Sequence, residues 1–294
     1  MDWSAHQKNT IIGGRRLSYL DVGEGQDAVL LLHGLAASSR FWTDNLAALS
    51  ESRRVIAVDL PGFGDSERAQ SQDVDTVVGG LEALCEELDL GAVDVVGHSL
   101  GTLLACDLAA REPQRVRRLI LTGGPIISVM RLFRSPLTTL RQRPVVANFL
   151  IEALATSIPI PAWLQRVIAD NAFLRWLTLS PYVAHPTSLR PEIAAVMLAG
   201  AGAPGVIPTL RSGFRHPGEH AMQDVAHPTL VIAGRKDRIA PVQDVEEFEK
   251  QQAVRRVVVL DDCGHCPMLE HPDVFNRELL AFLDAPAEVS SRAA

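Results

Sequence analysis

Short runs of β-branched and aliphatic residues alternate along this chain with longer stretches of helical period, and nothing else in it constrains the fold as tightly. Strands joined through helices pair in parallel, so the pattern predicts an α/β fold with a mostly parallel sheet wrapped by helices. Residues 8–22 read as a hairpin turning at Gly13-Gly14, and the runs at 28–32, 55–59, 92–97, 116–122, 229–234 and 257–261 read as buried strands, eight in all. Helices are expected near 38–50, 74–88, 100–111, 242–252 and 270–284. The Ala- and Ser-rich residues 285–294 are expected to fray.

Between about 125 and 215 the strand rhythm stops, and the apolar residues of 143–156, 161–177 and 190–199 repeat at helical spacing. The expected organisation is therefore a core of 1–124 and 216–294 with an all-helical insertion, 125–215, after the sixth strand. The insertion carries nine arginines (131, 134, 141, 143, 166, 175, 190, 211, 215) against Glu152, Asp170 and Glu192, a balance of +6. With −7 for the whole chain, the remainder must be −13. Such polarity predicts an insert docked on an acidic body, with recruitment of an anionic ligand as the alternative.

Composition narrows the class. Forty-seven per cent hydrophobic and 21% charged residues in 294 describe an ordinary globular chain. The net charge of −7 leaves no positive field to hold a phosphate backbone, so nucleic acid is not expected as a partner. The opening MDWSAHQKNT lacks the basic start and apolar run of a signal peptide, and no apolar stretch approaches a membrane span. A cytoplasmic location is the expectation. Cys85, Cys106, Cys263 and Cys266 are too few for a disulfide framework and read mainly as core residues.

The motif with most chemical content is Gly97-His98-Ser99-Leu100-Gly101, a G-x-S-x-G between the strand 92–97 and the helix that follows. A serine on so tight a strand-to-helix turn needs near-absent side chains two residues before and after it, and Gly97 and Gly101 supply them. The turn would expose the Ser99 hydroxyl, and the helix N-terminus would leave the Leu100 N–H unpaired for an oxyanion. A serine needs a base, and the base needs a group that fixes its tautomer. Asp237 lies just past the run Thr229 to Ala233, and His265 just past Val257 to Leu260. In a parallel sheet both would emerge at the same carboxyl edge as Ser99.

With GHSLG, the segments VLLLHGL (ending His33-Gly34-Leu35), DLPGFGDSE (59–67), GRKDRIAP (234–241) and GHCPMLEHP (264–272) resemble α/β-hydrolase enzymes in the order Ser, Asp, His. The resemblance covers nearly the whole chain. It implies an α/β-hydrolase fold, a Ser99-Asp237-His265 triad, an oxyanion hole from the N–H groups of Leu35 and Leu100, and a helical cap formed by the insertion. DLPGFGDSE then reads as a structural turn. Some members place the acid after the sixth strand, but Thr122-Gly123-Gly124-Pro125 offers no carboxylate. Ser99 excludes the aspartate-nucleophile chemistries. Similarity to C–C hydrolases of ring-cleavage products is weaker, because HGLAASS replaces their glycine-rich loop.

Other motifs have plainer readings. Cys263-Gly264-His265-Cys266 spells a thiol-redox motif, but it ends a late strand instead of opening a thioredoxin-like helix. Zinc would want four ligands where two cysteines stand together. His216 and His220 are four apart, yet Pro217 and Gly218 break any helix between them. His98 reads as a packing residue, and Gly62-Phe63-Gly64 as a turn without the third glycine of a dinucleotide fingerprint. Seven of 15 aromatics fall in the insertion, and Trp163, Phe173, Trp176 and Tyr182 are the candidates to line an apolar substrate pocket.

The expected function is hydrolysis of an ester, lactone or thioester with a largely apolar acyl part, with no cofactor and no metal. A triad-bearing acyltransferase, lyase or cyclase, a C–C hydrolase, and a thiol oxidoreductase using Cys263 and Cys266 are the alternatives. If insert arginines face the cleft, a carboxylate-bearing small molecule or an acidic carrier protein is the expected partner.

Overall fold

The computed structural model of the chain describes residues 3–215, 222, 225–251 and 254–285. Its strands are β1 (Gln7–Ile12), β2 (Arg15–Val22), β3 (Ala28–Leu32), β4 (Arg54–Val58), β5 (Val93–His98), β6 (Val116–Thr122), β7 (Thr229–Gly234) and β8 (Val254–Leu260). They form one sheet in the order β1-β2-β4-β3-β5-β6-β7-β8. β1 and β4 run antiparallel to β2, and every other pair is parallel. Gly13 and Gly14 turn the β1–β2 hairpin with φ of 57° and 76°, the left-handed pair that a tight two-residue loop demands.

Helices α1 (Thr43–Ser50), α2 (Val74–Glu87) and α3 (Leu100–Arg111) link the first strands. Seven more, α4 (Ile127–Arg134), α5 (Pro136–Gln142), α6 (Ala147–Thr156), α7 (Ala162–Asp170), α8 (Ala172–Leu179), α9 (Pro191–Ala199) and α10 (Val206–Arg215), fill the connection from β6 to β7. After β7 come α11 (Val242–Gln251), α12 (Pro267–Glu270) and α13 (Pro272–Asp284).

Alternation along the central strands builds a core on each face of the sheet. In β3, Leu30 and Leu32 join one cluster with Val78 and Leu81 of α2, Leu104 of α3 and Phe248 of α11. Val29 and Leu31 point the other way, onto Leu46 and Leu49 of α1 and Phe275 and Leu279 of α13. A strand buried on both faces needs apolar residues at successive positions, which is why β3 is written AVLLL. Burying four such leucines, isoleucines or valines contributes roughly 6–12 kcal/mol before entropy is counted.

The insertion divides between these two cores. Val129, Met130 and Phe149 extend the first, whereas Ile168, Leu179, Ile193 and Leu198 extend the second. Its arginines meet the acidic body as the charge count predicts. Arg131 and Arg143 reach Glu247 at 2.8 Å and 3.0 Å, Arg143 also holds the fully buried Asp244, and Arg190 pairs with Asp44. Arg175 instead turns inward, donating to the carbonyls of Pro186 at 3.1 Å and Thr187 at 2.9 Å.

Several boundaries differ from the sequence reading. The stretch 161–177 is two helices, because Asn171 leaves the helix and accepts from the N–H groups of Phe173 and Leu174, both at 3.0 Å. Helices α4, α5 and α10 fall inside the expected all-helical insertion but outside the three stretches whose apolar period marked helices. β8 begins at Val254, three residues early, with Arg255 and Arg256 exposed on the edge strand. The expected tail lies, except for Ala285, outside the described residues, as do His216 and His220.

Candidate active site

Because β3, β5, β6, β7 and β8 are parallel, the loops that leave their carboxyl ends gather at one edge. Strand order also reverses there, β3 leading first to β4 on one side and then to β5 on the other. Ser99 follows β5 directly, at φ 52° and ψ −115°, a strained backbone that a serine tolerates only where its surroundings impose it. The neighbouring glycines are steric necessities. A Cβ on Gly97 would stand 2.3 Å from the carbonyl oxygen of Gly101, and one on Gly101 would stand 2.3 Å from that of Leu32. Strand, turn and helix can pass only when both positions are bare.

Asp237 and His265 leave β7 and β8 and meet across this edge. Nδ1 of His265 lies 2.8 Å from Oδ2 of Asp237, and since the carboxylate can only accept, Nδ1 carries the hydrogen. Nε2 is then the unprotonated nitrogen of the neutral ring. It has no hydrogen-bond partner among the described residues. Oδ1 of Asp237 accepts from the N–H groups of Ile239 at 2.8 Å and Ala240 at 2.9 Å, which fixes the carboxylate. Burial opposes the charged imidazole, but Asp237 outweighs burial and raises the His265 pKa above 6.5.

Two cavities meet at Ser99. One is lined by Leu35, Leu100, Leu104, Val129, Met130 and Phe149, and no charged side chain lies in its wall among the described residues. The other, of about 250 Å³, holds His265, His98, Tyr182, Leu177, Ile151 and Glu152 beside Ser99. Leu35 lines both. Leu100 is the first residue of α3, one of the positions whose N–H has no carbonyl a turn earlier.

The remaining sequence candidates separate cleanly. His98 is a packing residue. Its Nε2–H donates to the carbonyl oxygen of His265 at 3.0 Å, and burial with the neighbouring His265 keeps its pKa well below 6.5. His33 likewise bridges loops, donating from Nδ1 to the Gly34 carbonyl at 2.7 Å while Nε2 accepts from the Leu60 N–H at 2.9 Å. DLPGFGDSE is a turn organised by Asp59, whose Oδ1 accepts from the Ser39 N–H at 2.7 Å and Oδ2 from the Asp65 N–H at 2.9 Å.

Corrections fall on the substrate pocket. Of the four pocket aromatics only Tyr182 lines a Ser99 cavity; Trp163, Phe173 and Trp176 are 66%, 64% and 51% exposed on the outer surface. Helical spacing gives a face, and it does not say whether that face turns inward or outward. Among the described residues, no arginine lines either cavity. Cys263 and Cys266 are buried free thiols whose pKa values burial pushes up, so neither is the thiolate a redox motif requires. Burial likewise lifts Cys85 to about 11 and Cys106 to about 12.

Two residues escaped the sequence reading. Glu270 accepts from the N–H groups of Gly264 at 2.9 Å, Cys266 at 3.2 Å and Ala184 at 2.7 Å, clamping the His265 loop to the insertion. Glu152 is 5% exposed, and its Oε2 has no partner among the described residues. Burial raises its pKa to about 7, with the His265 charge opposing and Asp237 adding to the rise. It is the one charged residue in the 22 positions from 144 to 165, a signal visible in the sequence.

A family model described as the alpha/beta hydrolase family matches residues 29–278. The chain belongs to that family. A 2-hydroxymuconate semialdehyde hydrolase of Pseudomonas putida is 30% identical, over 94% of this chain and 93% of its own. A pimeloyl-[acyl-carrier protein] methyl ester esterase of Neisseria meningitidis is 31% identical, over 84% and 90%. Among solved structures, a thermophilic esterase from Thermogutta terrifontis superposes with a TM-score of 0.69 at 22% identity, covering 94% of this chain and 97% of that one. At that identity it supports the fold alone. Enzymes named as hydrolases and esterases surround this α/β-hydrolase, and the reaction class follows from them at that level.

Proposed function

We propose that this α/β-hydrolase cleaves a carboxylic ester, thioester or lactone with an apolar acyl part, through an acyl-enzyme on Ser99. The observation that carries the reading is the His265 ring: Nδ1–H bonded to Asp237, Nε2 bare, and the ring sharing a cavity wall with Ser99. Nε2 takes the hydroxyl proton as Oγ attacks the acyl carbon. The N–H groups of Leu35 and Leu100 receive the oxyanion, a type of contact worth about 3–4 kcal/mol per donor. When the tetrahedral intermediate collapses, the bond to the leaving oxygen or sulfur breaks and Nε2 returns the proton to it. Water, activated by the same nitrogen, then releases the acid. Asp237 holds the tautomer and offsets the imidazolium charge.

The two cavities divide the substrate. His265 lines only the larger one, so the group it protonates departs there, and the acyl chain takes the uncharged cavity against Leu104, Met130 and Phe149. The insertion supplies walls to both and acts as the cap.

A second reading, C–C bond hydrolysis, draws support from the 30% identical 2-hydroxymuconate semialdehyde hydrolase. Among the described residues neither cavity wall holds an arginine or lysine, which weighs against an anionic dienoate here. A panel of nitrophenyl esters of increasing acyl length, run on wild type and Ser99→Ala, tests the proposal. Ser99-dependent turnover with oxygen from labelled water in the acid product is expected. Ser99-dependent consumption without label would instead indicate an acyltransferase, lyase or cyclase.

A further inference from the structure

Glu152 stands where a carboxyl group is costly. It projects from α6 into the cavity that receives the leaving group, among Ile151, Leu177, Leu179, Met197 and Leu198. Two threonines of the same wall turn to backbone instead: Thr156 donates to the carbonyl of Glu152 at 2.7 Å, and Thr178 to that of Leu174 at 2.8 Å. A buried carboxyl oxygen without a partner loses roughly 1–3 kcal/mol of hydration that nothing in the fold returns. Phe149 and Glu152, three residues apart, form the buried side of α6, while Leu150 and Leu154 face out at 47% and 68% exposure. The helix thus turns its only charged group inward and its aliphatic groups outward, the reverse of what burial energetics alone would choose.

Resting on the acyl-enzyme reading above, we propose that Glu152 is a specificity residue that binds a hydroxyl on the alcohol portion of the substrate, so that the preferred esters are those of a neutral polyol. Charge selects among possible partners. An ammonium in this cavity would oppose the positive charge that develops on His265 during proton transfer, and a carboxylate would face Glu152 with no arginine or lysine in the wall among the described residues. A neutral hydroxyl meets neither obstacle. It can donate to the carboxylate or, since burial holds the Glu152 pKa near 7, accept from the protonated form.

The test compares glyceryl monobutyrate with pentyl butyrate, which share an acyl group and differ mainly in the hydroxyls of the alcohol. Wild type is expected to favour the glyceryl ester in kcat/KM by about 10–100-fold, the range of one charge-assisted hydrogen bond. In Glu152→Leu that ratio should fall at least tenfold, chiefly through KM, and Glu152→Gln, which keeps a hydrogen-bonding head, should retain most of it. An unchanged ratio in Glu152→Leu, with both esters slowed together, would assign the residue a structural role and overturn the inference. A wild-type ratio near one would overturn it too, while Ser99-dependent cleavage of both esters left the acyl-enzyme reading standing. Turnover of both esters by Ser99→Ala at the wild-type rate would overturn that reading itself.

Discussion

His265 is the residue at which burial, charge and pH meet. Burial lowers its proton affinity and Asp237 raises it by more, leaving a pKa above 6.5 in the folded chain. A base must be neutral, so kcat/KM should fall as pH drops through that raised value, and a pH profile with its acid limb below 6.5 would contradict the assignment. Asp237→Asn should lower kcat by about 10⁴ and move the limb to more acid pH, since the charge that favours the imidazolium is gone. Glu152 titrates in the opposite sense to a paired carboxylate. Its folded pKa of about 7 exceeds the ordinary 4.5, so its contribution to stability is present below 4.5 and is lost as pH rises through 7. Glu152→Gln should therefore gain stability relative to wild type by about 3 kcal/mol between pH 4.5 and pH 8, as followed by urea unfolding. A difference flat across that range would place the carboxyl in water. At this scale the sequence could set Ser99, Asp237 and His265 at one sheet edge because each follows a strand inside a motif. Trp163, Phe173 and Trp176 were misread because nothing local in a helix says which neighbour covers it.

Among the elements, α4 and α11 carry the contact that seats the insertion. Asp244 is fully buried and accepts from the Ser128 N–H at 2.7 Å, with Arg143 as its counter-charge. Arg143→Ala would strand that carboxylate, and a loss of about 3–5 kcal/mol in urea unfolding is expected. A loss under about 1 kcal/mol would mean that Asp244 is held neutral. Strand positions were legible almost to the residue, since short apolar runs flanked by turn residues have few other uses: 28–32, 116–122 and 229–234 coincide with β3, β6 and β7. Helix ends in the insertion were not. The break at Asn171 depends on one side chain capping its own backbone, a local event that apolar periodicity does not register.

For the molecule as a whole, the sheet supplies one carboxyl edge, and the helices between β6 and β7 continue both cores instead of forming a third. Charge asymmetry along the sequence was correctly read as docking, through Arg131, Arg143 and Arg190 on acidic partners of the core. It did not predict the cavities, whose walls combine residues far apart in sequence, such as Phe149 with Leu100 or Glu152 with His265. What the whole arrangement must do, if it works as described, is carry an acyl group on one oxygen. Rapid mixing with nitrophenyl butyrate, acid quench and mass analysis of the digested chain reads that directly. The account predicts one butyryl group on the peptide holding Ser99 in wild type and none in Ser99→Ala. Butyryl found on Cys263 or Cys266 instead, or undiminished nitrophenol release by Ser99→Ala, would contradict it.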